Sequence, residues 1–170
     1  DAKEMELSTG KIDCIWNGFT MTPEREEALS FTKPYLNNDQ VLVVKADSGL
    51  TKLADMAGKK VGLQNGSSAQ AAVDSNKEFA ASLKEQVFYK ENLTALNDLI
   101  IGGVDGVVMD SVVAAYDIAQ SKKPLVIVEE VLSKEAYGVG FRKGDVKLRD
   151  EVQKILEEMA NDGTVAAIST

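Results

Sequence analysis

Histidine is missing from this chain, and Cys14 is its only cysteine. Those two gaps exclude a Ser-His-Asp or Cys-His catalytic set and any zinc site built from clustered His and Cys. A single thiol leaves no intrachain disulfide. Cations are also in short supply: 19 Lys and Arg face 27 Asp and Glu, a net charge of −8 and a pI near 4.7. No basic patch offers a nucleic acid a footing, and the acidity bears on solubility rather than on fold. No apolar run reaches membrane-spanning length and no signal-peptide pattern is present, so an exported protein would be read here in processed form. Repeats, low-complexity tracts and long charge runs are absent too. What is there is ordinary for a folded chain of 170 residues, with 44% hydrophobic and 27% charged residues, enough for one domain or two small lobes. Cys14, inside an apolar run, is expected in the core.

The pattern of elements is α/β. Asp1–Ser8 reads as the end of an amphipathic helix stopped by Thr9-Gly10. Strands are expected at 12–16, 41–45, 60–63, 87–89, 104–109, 125–128 and 137–141, with a loop over 31–38. Helices are expected at 23–28, 51–56, 69 onward, 76–85, 92–101, 111–120 and 148–161, with a last short one from 164. In the 148–161 segment Val152, Ile155, Leu156 and Met159 recur at helical spacing. Strands alternating with helices predict a mostly parallel sheet. Two segments read as crossings between lobes, which divides the chain into 1–45 with 137–170 and an inner lobe of 46–136.

Three places follow the carboxyl end of an expected strand, where open α/β sheets bind ligands. The first is Asn17-Gly18-Phe19-Thr20-Met21-Thr22-Pro23-Glu24-Arg25. Thr22 is a good N-cap and Pro23 suits the first helical position. Arg25 then falls in the first turn, the wrong end of the helix dipole for a cation. Such an arginine can grip a small carboxylate, or make ordinary ion pairs with Glu24, Glu26 and Glu27. The second is Gly66-Ser67-Ser68-Ala69, whose unpaired N–H groups would favour an anion, or whose serine simply caps a helix. The third is Asp110, an ammonium ligand or again an N-cap. An arginine and a helix N-terminus for a carboxylate, with an aspartate for an ammonium, are the requirements of a free α-amino acid zwitterion.

Taken in combination, Lys11 to Arg25, Leu53 to Gly62, Gly66 to Ala69, Val104 to Asp110, Tyr137 to Gly144 and Glu157 to Thr164 resemble the bacterial extracellular solute-binding proteins of the polar amino acid family (family 3), the receptor components of ABC importers. The resemblance spans the chain. It implies a two-lobed periplasmic-binding-protein type II fold and a non-enzymatic receptor that closes about a polar L-amino acid. It also implies a membrane permease as partner and a periplasmic or extracellular location. Neither cofactor, metal nor catalytic residue is called for. By resemblance Arg25 binds the ligand carboxylate, Gly18 and Thr20 contact its main chain, Ser67 and Ser68 donate to the carboxylate, and Asp110 binds the ammonium. Asn17 and Gln64 stand where side-chain specificity is set. Trp16 is expected in the core rather than in the pocket wall.

Family members carry an opening βαβ segment and a tryptophan-containing ending that this sequence lacks. The expectation is therefore a complete lobe 2, an incomplete lobe 1, and weakened affinity. A second chain, a domain swap or an oligomer would cover the exposed sheet. Two alternatives share the fold: an enzyme of the cyclohexadienyl dehydratase type, which needs a positioned general acid, and the sensor domain of a receptor or regulator. Glutamine, arginine, lysine, histidine and cystine all remain open as ligand.

Overall fold

The computed structural model describes residues 2–169. Asp1, which the sequence reading placed in the first helix, lies outside them. In order the elements are α1 (Lys3–Ser8), β1 (Cys14–Ile15), α2 (Pro23–Ala28), β2 (Leu29–Phe31), β3 (Leu36–Lys45) and a 3-10 turn at Leu53–Met56. Then come β4 (Lys60–Gln64), α3 (Ser68–Ser75), α4 (Lys77–Ser82), β5 (Glu85–Tyr89), α5 (Asn92–Ile101), β6 (Gly106–Asp110) and α6 (Ser111–Ser121). The chain finishes with β7 (Leu125–Tyr137), β8 (Gly140–Arg142), α7 (Val146–Asn161) and α8 (Thr164–Ser169).

The chain forms two compact units, an outer one of Asp1–Asn37 with Glu135–Thr170 and an inner one of Asn38–Lys134. The inner unit thus begins ahead of the expected boundary at 46, because residues 40–44 of β3 pair with β6 and belong to the inner sheet. Its sheet has the order β5-β4-β6-β3-β7. β4 runs parallel to β5 and to β6, as a βαβ chain requires, whereas β3 is antiparallel to β6. The sheet is mixed rather than mostly parallel.

Alternation along a strand sends neighbouring side chains to opposite faces. On β3, Val41 and Val43 enter one apolar cluster with Leu96, Leu99, Val107 and Met109. Leu42 and Val44 enter the other with Val61, Leu63, Val73 and Val108. Both faces are therefore buried, which explains the unbroken apolar runs of β3 and β6. Each fully buried Leu or Val contributes about 1.5–3 kcal/mol by leaving water. Gly102 closes α5 in the left-handed region at φ +87°, where its N–H reaches the carbonyl of Leu99 at 3.2 Å.

The outer unit is smaller and antiparallel throughout, with the order β1-β8-β2. Leu7, Ile15, Phe19 and Leu29 form its core. Phe19 stacks on Phe31 with ring centroids 5.4 Å apart. Gly140 passes so close beneath that a Cβ would stand 2.8 Å from the Phe19 ring. β2 falls at the end of the expected helix and the start of the expected loop, and β7 continues well past Val128 through a polar stretch. In α7 no residue is buried, and Ile155 is 50% exposed. Cys14 is half-buried rather than enclosed, and its surroundings push the thiol up, chiefly by desolvation and then by Asp13.

Candidate functional site

In the outer unit the candidate residues form one loop between β1 and α2. Thr22 has extended backbone (φ −106°, ψ 155°) and its Oγ1 accepts from the Arg25 N–H at 3.3 Å, while Pro23 opens the helix. The capping expected of Thr22 is therefore made, and it places Arg25 third in α2, within the first turn. Hydrogen bonds from its own backbone N–H and from the Thr22 hydroxyl hold the Glu24 carboxyl below the usual range.

Arg25 makes its ion pair with Glu4 of α1. Its Nε donates to Glu4 Oε1 at 3.0 Å and its Nη1 to the Thr20 carbonyl at 3.1 Å. Its guanidinium lies 4.5 Å from the centre of the Phe19 ring, a favourable cation–π placement. With 14% of its side chain exposed, Arg25 is held on three sides by its own unit. Glu4 is the partner that sequence reasoning missed. It stands 21 residues earlier on α1, and nothing local signals the pairing.

The rest of the loop is tied to the 135–139 segment. Thr20 is 1% exposed, and its hydroxyl donates to Glu135 Oε2 at 2.9 Å. Met21 N–H donates to the Ala136 carbonyl at 2.9 Å and Gly138 N–H to the Phe19 carbonyl at 3.2 Å. Asn17 is exposed, and its carbonyl accepts from Phe19 N–H at 2.6 Å and from the Tyr35 hydroxyl at 2.9 Å. Burial pushes that Tyr35 hydroxyl up. A Cβ on Gly18 would meet the Tyr137 ring at 3.2 Å, so the backbone passes close over that ring. Trp16 is 54% exposed, contrary to the core position expected of it. β1 is only two residues long, and Trp16 stands beyond its end, where the pleat no longer turns the side chain inward.

In the inner unit the remaining candidates meet at the carboxyl ends of β4 and β6. Gly66 turns the chain at φ +66°, a conformation that glycine adopts without steric cost. Ser67 occupies the N-cap position of α3, yet its side chain does not cap. Instead its Oγ donates back to the Gln64 carbonyl at 2.7 Å. Gln64 itself is half-buried, with Nε2 donating to the Lys90 carbonyl at 2.9 Å. Ser68 is 8% exposed, and its Oγ accepts from Gln40 Nε2 at 3.1 Å.

Asp110 likewise stands at an N-cap position without capping its helix. Its Oδ1 accepts from Asn38 Nδ2 at 2.8 Å and also from Gln40 Nε2. Asn38 and Gln40 are 2% and 0% exposed. Ser111 Oγ donates to Asn38 Oδ1 at 3.2 Å and accepts from Asp39 N–H at 3.1 Å. One amide side chain therefore links Ser68 to Asp110, two of the predicted residues. Sequence reasoning missed Asn38 and Gln40, although polar side chains at i and i+2 of a strand that continues in four apolar residues, Val41–Val44, are the available signal. Among the described residues no group of three or more His, Cys, Asp or Glu is placed to hold a metal ion. No helix among them is long and apolar enough to cross a membrane.

Each unit thus presents its own chemistry: a half-buried guanidinium beside the loop between β1 and α2, and an aspartate beside a serine-bearing helix start. Comparison with known proteins gives a consistent picture. The family model described as bacterial extracellular solute-binding proteins, family 3, matches residues 1–170. The L-cystine-binding protein TcyJ of Escherichia coli strain K12 is 30% identical over 99% of this chain and 63% of its own length. The ABC transporter arginine-binding protein 1 of the same strain is 31% identical over 96% of this chain and 67% of its own. The chain therefore spans somewhat under two thirds of the length of the first of these relatives. Among solved structures, an ABC uptake transporter substrate-binding protein from Streptococcus pneumoniae with bound histidine superposes with a TM-score of 0.95. It is 37% identical, covering 99% of this chain and 71% of that one. An ancestral arginine-binding protein bound to arginine superposes at 0.88 with 37% identity, covering 99% and 74%.

Proposed function

Since the chain belongs to the bacterial extracellular solute-binding proteins of family 3 and has their periplasmic-binding-protein type II fold, we propose that it is the ligand-binding part of a receptor for a polar L-amino acid in an ABC importer. It works on the outer side of the cytoplasmic membrane and passes its ligand to a permease. Its task is binding and release, without a chemical step. The relatives named above are binding proteins for cystine or arginine, or hold bound histidine. Those ligands differ in side chain and share only the zwitterionic head, so the chemistry common to them is recognition of a carboxylate and an ammonium.

The observation that carries the reading is Asp110. Its carboxylate sits at the end of β6, does not cap its own helix, and is held by two buried amides. A carboxylate fixed in this way suits a ligand ammonium. The ligand carboxylate takes the N–H of Ser68 at the start of α3 and the guanidinium of Arg25, while the Ser67 N–H, which donates to the Gln64 carbonyl at 3.3 Å, closes the turn beside it. Thr20 and Gly18 supply main-chain contacts, and Asn17 and Gln64 border the ligand side chain. Hinge closure of the two units around the ligand then signals occupancy to the permease.

Titration calorimetry of the chain against the twenty amino acids and L-cystine tests this. Binding of at least one polar member is expected. Asp110→Ala and Arg25→Ala should each weaken it by at least about thirtyfold, since stripping one partner from a buried charge pair costs about 2–5 kcal/mol. No binding to any of them, or unchanged affinity in either variant, refutes the assignment.

A further inference from the structure

Asn38 and Gln40 do more than fill a strand. They are buried amides on one face of β3, and β3 runs antiparallel to β6 with Gln40 directly opposite Asp110. Both donate to the same carboxylate oxygen, Oδ1. The Ser111 hydroxyl, bonded to Asn38 Oδ1, orients that amide so that its NH2 faces Asp110. Gln40 uses the same nitrogen to reach Ser68. A buried amide left without partners is costly, so a leucine or valine would serve the core better at either position. We propose that Asn38 and Gln40 are positioning residues of an ammonium site: they fix the Asp110 carboxylate before ligand arrives and couple it through Gln40 to Ser68, so that the grips for the two ends of the zwitterion are set by one side chain. This rests on Asp110 being the ammonium ligand.

The consequence is a specific kind of discrimination. Loosening Asp110 weakens only ligands that carry an α-amino group. A merely structural role for the amides would weaken all ligands alike. The probes are L-histidine and L-arginine with their deamino analogues, imidazolepropionate and δ-guanidinovalerate. Gln40→Met keeps the length of the side chain and removes the donor, and Asn38→Ala removes the second donor. The expected result is a ten- to thirtyfold loss of affinity for the amino acid in each variant. In Asn38→Ala the analogue should change less than twofold; in Gln40→Met, which also releases Ser68 at the carboxylate grip, the analogue weakens too but less than the amino acid, so the ratio between the two falls in both variants. Melting temperatures establish that the variants are folded. If Gln40→Met does not fold, Asn38→Ala carries the measurement, and Asn38→Gln, which restores an amide, should recover part of the ratio.

Asp110→Asn separates the two ideas. If that variant discriminates as well as the parent, Asp110 is not the ammonium ligand and the underlying reading fails. If Asp110→Asn abolishes discrimination while Gln40→Met and Asn38→Ala leave it intact, the ammonium site stands and the positioning role is overturned.

Discussion

Removing Glu4 is the sharpest probe of what Arg25 is for. Glu4 Oε1 holds the Arg25 Nε at 3.0 Å, but its side chain is 47% exposed against 14% for Arg25. A pair with one half in water is worth about 0.2–1 kcal/mol. The hydrogen bond from Nη1 to the Thr20 carbonyl has a charged donor and stays largely out of solvent, worth about 1.5–3 kcal/mol. The contact with the Phe19 ring adds about 0.5–1 kcal/mol. Glu4→Ala should therefore lower stability by less than about 1 kcal/mol, and Arg25→Ala by about 2–5 kcal/mol, both read from urea unfolding. The same geometry predicts the effect on binding. On the proposed reading, a ligand carboxylate competes with Glu4 for the Arg25 guanidinium. Glu4→Ala removes the competitor and should tighten amino acid binding up to about fivefold, the equivalent of about 1 kcal/mol. Equal stability losses in the two variants would mean that Glu4, and not the Thr20 carbonyl or the Phe19 ring, anchors the arginine. Weaker ligand binding by Glu4→Ala would mean that Glu4 aims the guanidinium rather than competing for it. Either result refutes the reasoning.

Three further outcomes are expected. Gly140→Ala drives a methyl to 2.8 Å from the Phe19 ring, which is wedged against Phe31 and cannot swing away; a loss of about 1–3 kcal/mol in urea unfolding is expected, and an unchanged midpoint would show that the stack yields. Burial and then the Asp98 hydrogen bond push the Tyr89 hydroxyl from 10.0 up to about 12. The folded chain therefore keeps that proton where the unfolded chain loses it, so this contribution to stability is whole below pH 10 and disappears as pH rises toward 12; Tyr89→Phe should flatten the alkaline fall in melting temperature, and an equally steep fall in the variant speaks against the shift. Trp16, the only tryptophan, is 54% exposed next to Asn17, so Trp16→Ala should alter stability by less than about 0.5 kcal/mol, while the parent's fluorescence should respond to amino acid; a larger loss or a silent tryptophan contradicts its place beside the site.

Local chemistry made part of this legible from the residues alone. Thr22-Pro23 announces a helix start and the structure begins α2 there, because the cap and the fixed φ act within one turn. Gly66 and Gly102 mark turns for the same reason. Reach, by contrast, is invisible in a string. Glu4 meets Arg25 and Thr20 meets Glu135 only after the outer unit has folded. β2 was missed because three residues carry too little periodicity to stand out from the helix that precedes them. β7 was cut short at Val128 because the following Glu129-Glu130 and Ser133-Lys134-Glu135 have no apolar repeat; backbone pairing, not burial, keeps them extended. Asn37-Asn38-Asp39-Gln40 has the composition of a turn, and the sheet overrides it, making those amides the support of Asp110 rather than a loop.

That same strand changes polarity midway, from Asn38 and Gln40 to Val41–Val44. A slip of β3 by one residue against β6 that set Gln40 opposite Met109 would bring Asp39 opposite Asp110 and thrust Gln40 among the apolar side chains that Val41 and Val43 now join. Such an error carries its own penalty, so the polar half of the strand acts as a ratchet tooth for the apolar half. Substitutions that retune the binding face therefore also touch the fidelity of folding. On the proposed binding role, a change of ligand preference would put folding at less risk through the loop at 16–20 than through β3.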